Sequence, residues 1–128
     1  MKDFKTYVTI DAEPEDVYAC LTNPFTIELW SDMPAKMEAR EQTEFEMFDG
    51  DISGKIISLE HNKKVVQQWY FGDQEPASLV TFLIHKQKGN KVSLELRHTN
   101  IPDDDYEEIT QGWKDYYLGR IKEFLEIE

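Results

Sequence analysis

The feature that most constrains this chain is an apolar stripe in its last stretch. Set at ~100° per residue, Tyr106, Ile109, Trp113, Tyr117, Ile121 and Phe124 share one face of a helix spanning Asp104 to Ile127. Glu107, Glu108, Gln111, Asp115, Lys122 and Glu126 take the other face. At ~1.5 Å per residue such a helix is ~35 Å long, enough to cross a small domain from end to end. A stripe this rich in aromatic rings needs a wide, curved partner, so whatever precedes it must supply a concave apolar surface.

The preceding residues read as that surface. Phe4, Thr6, Val8 and Ile10 alternate with Lys5, Tyr7 and Thr9, the pattern of an opening strand. Pro14 suits the first turn of a helix, with Glu13, Glu15 and Asp16 near its positive end. Val17, Cys20 and Leu21 form its buried side, and Asn23-Pro24 stops it. A second short helix from Pro24 to about Leu29 carries Phe25 and Trp30. Residues 31–43 show no clear period beyond a possible short strand at Lys36 to Glu38. Strands are then expected at Glu44 to Met47, Ile52 to Glu60, Val65 to Phe71, Leu79 to His85 and Lys91 to Thr99, separated by the turn signals Asp49-Gly50, His61-Asn62-Lys63, Gly72 to Ala77 and Lys88-Gly89-Asn90. Ile101-Pro102 ends the last strand, and Asp103 or Asp104 is placed to cap the final helix. The fold class is therefore α+β: a curved antiparallel sheet around a long C-terminal helix, with two short helices after the first strand.

Charge and cysteine content narrow the function classes. The formal net charge of −12 disfavours nucleic acid and anionic membranes, both of which demand basic patches, and favours a basic partner surface. No apolar run reaches ~18 residues, so no membrane span is expected, and Met1-Lys2-Asp3-Phe4 does not open a signal peptide. Cys20 is the lone cysteine; it reads as a small buried hydrophobe, and a reducing cytoplasm suits such a chain.

Few residues suggest chemistry. His98 lies on the inward face of its strand, where a lone histidine is more often a satisfied polar group than a catalyst. His61 and His85 sit apart from it, so no metal-ligand spacing exists and neither metal nor cofactor is expected. The acids from Asp103 to Glu108 lack the spacing of a calcium loop and suit a helix N-terminus. Arg120 falls at the edge of the apolar stripe, where it can snorkel past the rings, pair with an acid of the sheet, or anchor an anion. Gly112 and Gly119 lie on one flank of the helix, each costing ~1 kcal/mol there, which suggests close approach by another backbone or a bend toward the sheet, with simple tolerance as the alternative.

Two runs resemble a known family. Phe45 to Trp69, FEMFDGDISGKIISLEHNKKVVQQW, is similar to the middle of the domain found in activators of the 90-kDa heat-shock protein ATPase. Thr99 to Phe124, TNIPDDDYEEITQGWKDYYLGRIKEF, resembles its end, and VYACLTNP its first helix. Gly54, Lys64, Trp69, Ile101-Pro102 and Gly112-Trp113 are the more specific points. The resemblance implies the helix-grip fold shared with lipid-transfer (START-like) domains and polyketide cyclases, often with an internal cavity. Eukaryotic activators of this type carry a second, N-terminal domain, whereas residues 1–128 here are expected to form a single helix-grip domain.

The leading expectation for function is a non-enzymatic binding domain for a small hydrophobic or aromatic molecule, held in a cavity between sheet and C-terminal helix. Its expected lining is Trp30, Met33, Met47, Trp69, Phe82, His98, Trp113 and Tyr117, with the facing of Trp69 and Phe82 open by one residue of register. Trp113 is expected to be either ordinary core or the roof of that cavity. The alternatives are a protein-interaction module acting as a co-chaperone or ATPase activator of a 90-kDa heat-shock protein, and a cyclase-like enzyme using His98.

Overall fold

The computed structural model describes residues 1–127. Its elements follow the order β1 (Lys2–Ile10), α1 (Pro14–Thr22), α2 (Pro24–Ser31), β2 (Glu44–Met47), β3 (Ile52–Glu60), β4 (Lys64–Trp69), β5 (Ser78–Gln87), β6 (Lys91–Ile101) and a C-terminal helix. The six strands make one antiparallel sheet in the order β1-β6-β5-β4-β3-β2, so the first strand lies beside the last. Alternation along each strand sends one set of side chains inward. Phe45 and Met47 of β2, Val65, Gln67 and Trp69 of β4, Val80, Phe82 and Ile84 of β5, and Val92, Leu94, Leu96 and His98 of β6 are all buried. Trp69 and Phe82 thus both face the helix, which settles their register. β4 ends at Trp69 rather than Phe71: the Tyr70 N–H still bonds to the Ser53 carbonyl, after which the chain turns through Phe71 and Asp73. At Lys36 to Glu38 only a bridge from Lys36 to Glu46 forms.

The two short helices pack against each other, and α1 also packs against β5. Asn23 stops α1 and also caps α2, its Oδ1 accepting from the N–H groups of Phe25 and Thr26 at 2.9 and 3.2 Å. The Trp30 indole donates to the Cys20 carbonyl at 2.9 Å and fixes α2 against α1. Burial pushes the Cys20 thiol up to about 12, with Asp16 adding to it, as suits an inert core cysteine.

The C-terminal helix is continuous but not uniform. It runs as α3 (Tyr106–Gly112), a π-helical segment (Trp113–Leu118) and α4 (Gly119–Leu125), preceded by a tight turn over Asp103–Asp105. No aspartate side chain caps it; Asp103 pairs instead with the N-terminal ammonium at 2.8 Å. The π segment lets three residues, Trp113, Tyr117 and Leu118, bury together, since the wider turn rotates the stripe by about one residue. Beyond it, α4 packs against α1, α2 and β1. Lys122 Nζ donates to the Thr9 carbonyl at 2.6 Å, and the Asp11 N–H donates to Glu126 at 2.9 Å. By contrast, α3 buries no residue completely.

Three glycines have three different reasons. A Cβ on Gly54 would lie 1.9 Å from the Gln68 carbonyl oxygen and 2.9 Å from the Phe45 ring, so β3, β4 and Phe45 close up over it. A Cβ on Gly119 would lie 2.4 Å from the Lys114 carbonyl, the acceptor of its own π-type hydrogen bond. The close approach expected of the helix glycines is therefore made at Gly119 by the helix's own π turn, and not by another strand. A Cβ on Gly112 would meet nothing within 4 Å. Gly112→Ala should accordingly stabilise the fold by about 0.5–1 kcal/mol, whereas Gly119→Ala should destabilise it by about 1–3 kcal/mol because the π turn must unwind. Denaturant melts of the two variants beside the parent measure both signs.

Candidate functional site

Where the helix meets the sheet the space is filled by rings. Trp113 stacks on Trp69 with centroids 4.9 Å apart and meets Phe82 edge-on at 5.7 Å. Tyr117 lies 4.5 Å from Trp113, stacks on Phe82 at 5.7 Å and touches Trp30 at 5.0 Å. Such pairs contribute ~0.5–1.5 kcal/mol each beyond their buried area. The Tyr117 hydroxyl, its pKa raised by burial, donates only to the Met47 sulfur at 3.6 Å. The Trp69 indole donates to Gln67 Oε1 at 3.0 Å, and the Gln67 Nε2 has no hydrogen-bond partner among the described residues.

His98 sits fully buried beneath Trp113, and its proton can be placed by elimination. The indole Nε1–H can only donate, and it lies 3.0 Å from His98 Nδ1. Nδ1 is therefore the acceptor and Nε2 carries the hydrogen, donating to Ser78 Oγ at 2.8 Å; Ser78 in turn donates to the Thr99 carbonyl at 3.1 Å. Burial lowers the His98 pKa from 6.5 to about 4, partly opposed by Asp3. The imidazole is a neutral, doubly bonded link between helix and sheet.

Open space lies to one side of this cluster. Because α3 stands off the sheet, a groove of about 740 Å³ runs along it, facing the ends of β3 and β4 and the turn at Phe48–Gly50. Its apolar wall is Met33, Phe48, Ile52, Trp69, Phe71, Ile109, Trp113, Tyr116 and Tyr117. Asp51, Ser53, Tyr70, Asp105, Glu108, Gln111 and Arg120 give it polar edges, and Gly112 contributes no side chain to obstruct it.

Of the eight residues expected from sequence, Met33, Trp69, Trp113 and Tyr117 reach the groove. Trp30, Met47, Phe82 and His98 lie behind it, inside the stacked cluster, where neighbouring rings occupy the space. The cavity between sheet and helix is thus packed at its centre and open along one end. Sequence reasoning missed Phe48, which sits in a turn with no period to mark its facing, and Phe71, although the alternation of Val65, Gln67 and Trp69 puts it on their side of the expected strand. It also missed Tyr116, next to Tyr117 but exposed on the groove side of the π turn. Among the described residues no cluster of metal-ligating side chains is present.

Comparison with known proteins returns a consistent set. The family profile described as "Activator of Hsp90 ATPase homolog 1-like protein" matches residues 11–126. A Homo sapiens protein, "Activator of 90 kDa heat shock protein ATPase homolog 1", is 29% identical over 93% of this chain and 35% of its own length. An uncharacterized protein of Schizosaccharomyces pombe is 30% identical over 94% of this chain and 36% of its own. The chain thus spans about a third of the length of these curated relatives. The crystal structure of an HSP90 activator from Plasmodium falciparum superposes with a TM-score of 0.88 at 25% identity, covering 98% of this chain and 96% of that one.

Two measurements check this account of the buried cluster. Trp113→Ala should lose about 3–5 kcal/mol, the transfer and cavity penalties of a large buried ring, because Trp113, although it borders the groove, is only 2% exposed. The second concerns pH. Since the folded-state pKa of His98 lies below its unfolded value, its contribution is complete above pH 6.5 and is lost as pH falls toward about 4. The loss is on the order of 3 kcal/mol across that window. Denaturant melts from pH 7 to pH 5 should show falling stability in the parent and a flatter profile in His98→Gln.

Proposed function

The chain belongs to the family of activator of Hsp90 ATPase homolog 1-like proteins, and on that premise we propose that it is a non-enzymatic binding domain for a small hydrophobic or aromatic molecule seated in the groove beside α3. The observation that carries this reading is the groove itself: an apolar, ring-lined concavity of about 740 Å³, within the range of small-molecule sites, with a few polar groups at its edges. Its walls are held in place by the packed cluster behind them, so the site is formed before a ligand arrives. Ligand-facing residues in this reading are Met33, Trp69, Trp113 and Tyr117, joined by Phe48, Phe71, Ile109 and Tyr116. The cyclase-like alternative draws no support from His98, whose two nitrogens are both engaged inside the core. No helix among the described residues is long and apolar enough to cross a membrane, and a cytoplasmic setting is part of the proposal.

A second reading, a co-chaperone contact with a 90-kDa heat-shock protein, is favoured by a different observation. Its relatives include proteins named as activators of that chaperone's ATPase, and α2 exposes Phe25 and Leu29, 78% and 70% accessible and one helical turn apart. Both readings are open to direct measurement. Titration of a lipid and aromatic library, followed by amide chemical shifts, should perturb Trp69, Phe71, Ile109 and Tyr116 together; shifts confined to the outer charged faces, or none at all, overturn the groove. ATP turnover of the 90-kDa chaperone with added protein tests the second. Under that reading the rate rises at low salt and the rise shrinks when Phe25 and Leu29 are changed to Ser; an unchanged rate with no binding removes it.

A further inference from the structure

Resting on the groove reading, we infer that the molecule it takes is an aromatic acid, its rings against the groove wall and its oxyanion on Arg120. The starting point is an unusual arginine. The chain has 26 acidic side chains against 14 lysines and arginines, and of its three arginines two are ion-paired. Arg40 pairs with Glu38 and Arg97 with Glu95. Arg120 pairs with no carboxylate among the described residues. Asp51, Asp105 and Glu108 border the same groove, yet none lies within the 4.0 Å of an ion pair with it.

What Arg120 does touch leaves it poised. Its guanidinium sits over the Tyr116 ring, 5.8 Å from the centroid, and one Nη1–H reaches the Ser31 carbonyl at a long 3.4 Å. The side chain is half-buried at the groove wall. A guanidinium carries five N–H donors in a planar fork, and a single long bond leaves most of that fork without a protein acceptor. Partial burial next to aromatic walls removes water that would otherwise serve those donors, which raises the value of an incoming anion. The ring beneath and the carbonyl behind hold the fork in one orientation, so little side-chain freedom is lost on binding.

The other charges of the groove set the direction of the ligand. Asp105 and Glu108 lie at the start of the helix, about 18–22 Å along its axis from Arg120 at ~1.5 Å per residue. Asp105 and Glu108 make one end of the groove acidic and Arg120 marks the other, with Asp51, in the turn whose Phe48 ring packs on Tyr117, bordering the groove beyond ion-pair distance of Arg120. An apolar molecule with an oxyanion is accepted in one orientation, rings toward Trp69 and Trp113. The protein's overall negative charge opposes approach only at long range, and at physiological salt that field is screened beyond ~8 Å.

A matched pair of probes tests this. Anilinonaphthalenesulfonate and phenylnaphthylamine share one ring system and differ by a sulfonate, and both report binding by fluorescence. The parent should bind the sulfonate probe in the groove, and Arg120→Gln should weaken that binding about tenfold or more, the size of a lost charge-assisted contact. Phenylnaphthylamine should bind parent and variant alike, and Arg120→Lys should recover part of the sulfonate affinity. In the parent itself the Arg120 Nε–H resonance should shift with the sulfonate probe and not with the neutral one, a readout that needs no variant to fold. Equal loss of both probes in Arg120→Gln, or no loss of either, overturns the anion contact while leaving the groove reading in place. Failure of both probes to bind the parent overturns the groove reading itself.

Discussion

The hydrogen bond from the Trp113 indole to His98 Nδ1 joins the two halves of this molecule. The helix brings a donor that cannot accept, and the sheet brings a ring whose acceptor nitrogen exists only while it is neutral. Around that bond the rings of Trp69, Phe82 and Tyr117 are stacked, so the position of the indole sets the position of the rest. Burial keeps the imidazole neutral, and neutrality keeps the bond; each depends on the other. A proton on Nδ1 would remove the acceptor and place a charge in the least polar part of the fold.

The groove exists because the helix is fastened unequally. Its second half is held by α1, α2, β1 and the Lys122 and Glu126 contacts with the end of the first strand. Its first half has no fully buried residue, and the π segment lies between the two regimes. Packing therefore decides where the helix is fixed, and the place where packing stops is where a ligand can be accommodated. Gly112 and Gly119 express this division. Gly119 is required by a carbonyl of its own helix, whereas Gly112 faces open space at the groove.

Much of the architecture was legible in the residues. Two-residue alternation in β1, β2 and β6, the stripe from Tyr106 to Phe124, and the turn signals at Asp49-Gly50 and Lys88-Gly89-Asn90 all follow from local periodicity, and each matches an element or turn of the structure. The expectation of an aspartate cap failed because the chain enters the helix through a tight turn that points those carboxylates elsewhere. The site was legible only in part. Trp69, Trp113 and Tyr117 were expected from stripe and strand, but whether a buried ring adjoins open space depends on residues far away in sequence. Phe48 comes from a turn, and no period announces where a turn side chain points; Phe71 was expected at the end of a strand that stops two residues earlier. Arg120 was visible as an anomaly on the stripe, but which of its expected roles it takes depends on neighbours that only the fold brings near.

The strand order has a consequence for how this chain comes to be folded. β1 is hydrogen-bonded along its length to β6, so the first strand of this domain pairs with its last. During synthesis β1 must wait, its backbone donors and acceptors unpaired, until almost the whole domain has been made. The closing helix arrives later still, and with it the lid of the apolar face. Topology of this kind, dominated by partners distant along the chain, folds on the slower side for its size and leaves a sticky edge exposed in the interval. The alternating lysine, tyrosine and threonine of the outward face of β1 keep that waiting strand half polar, and the high negative charge of the chain keeps growing copies apart.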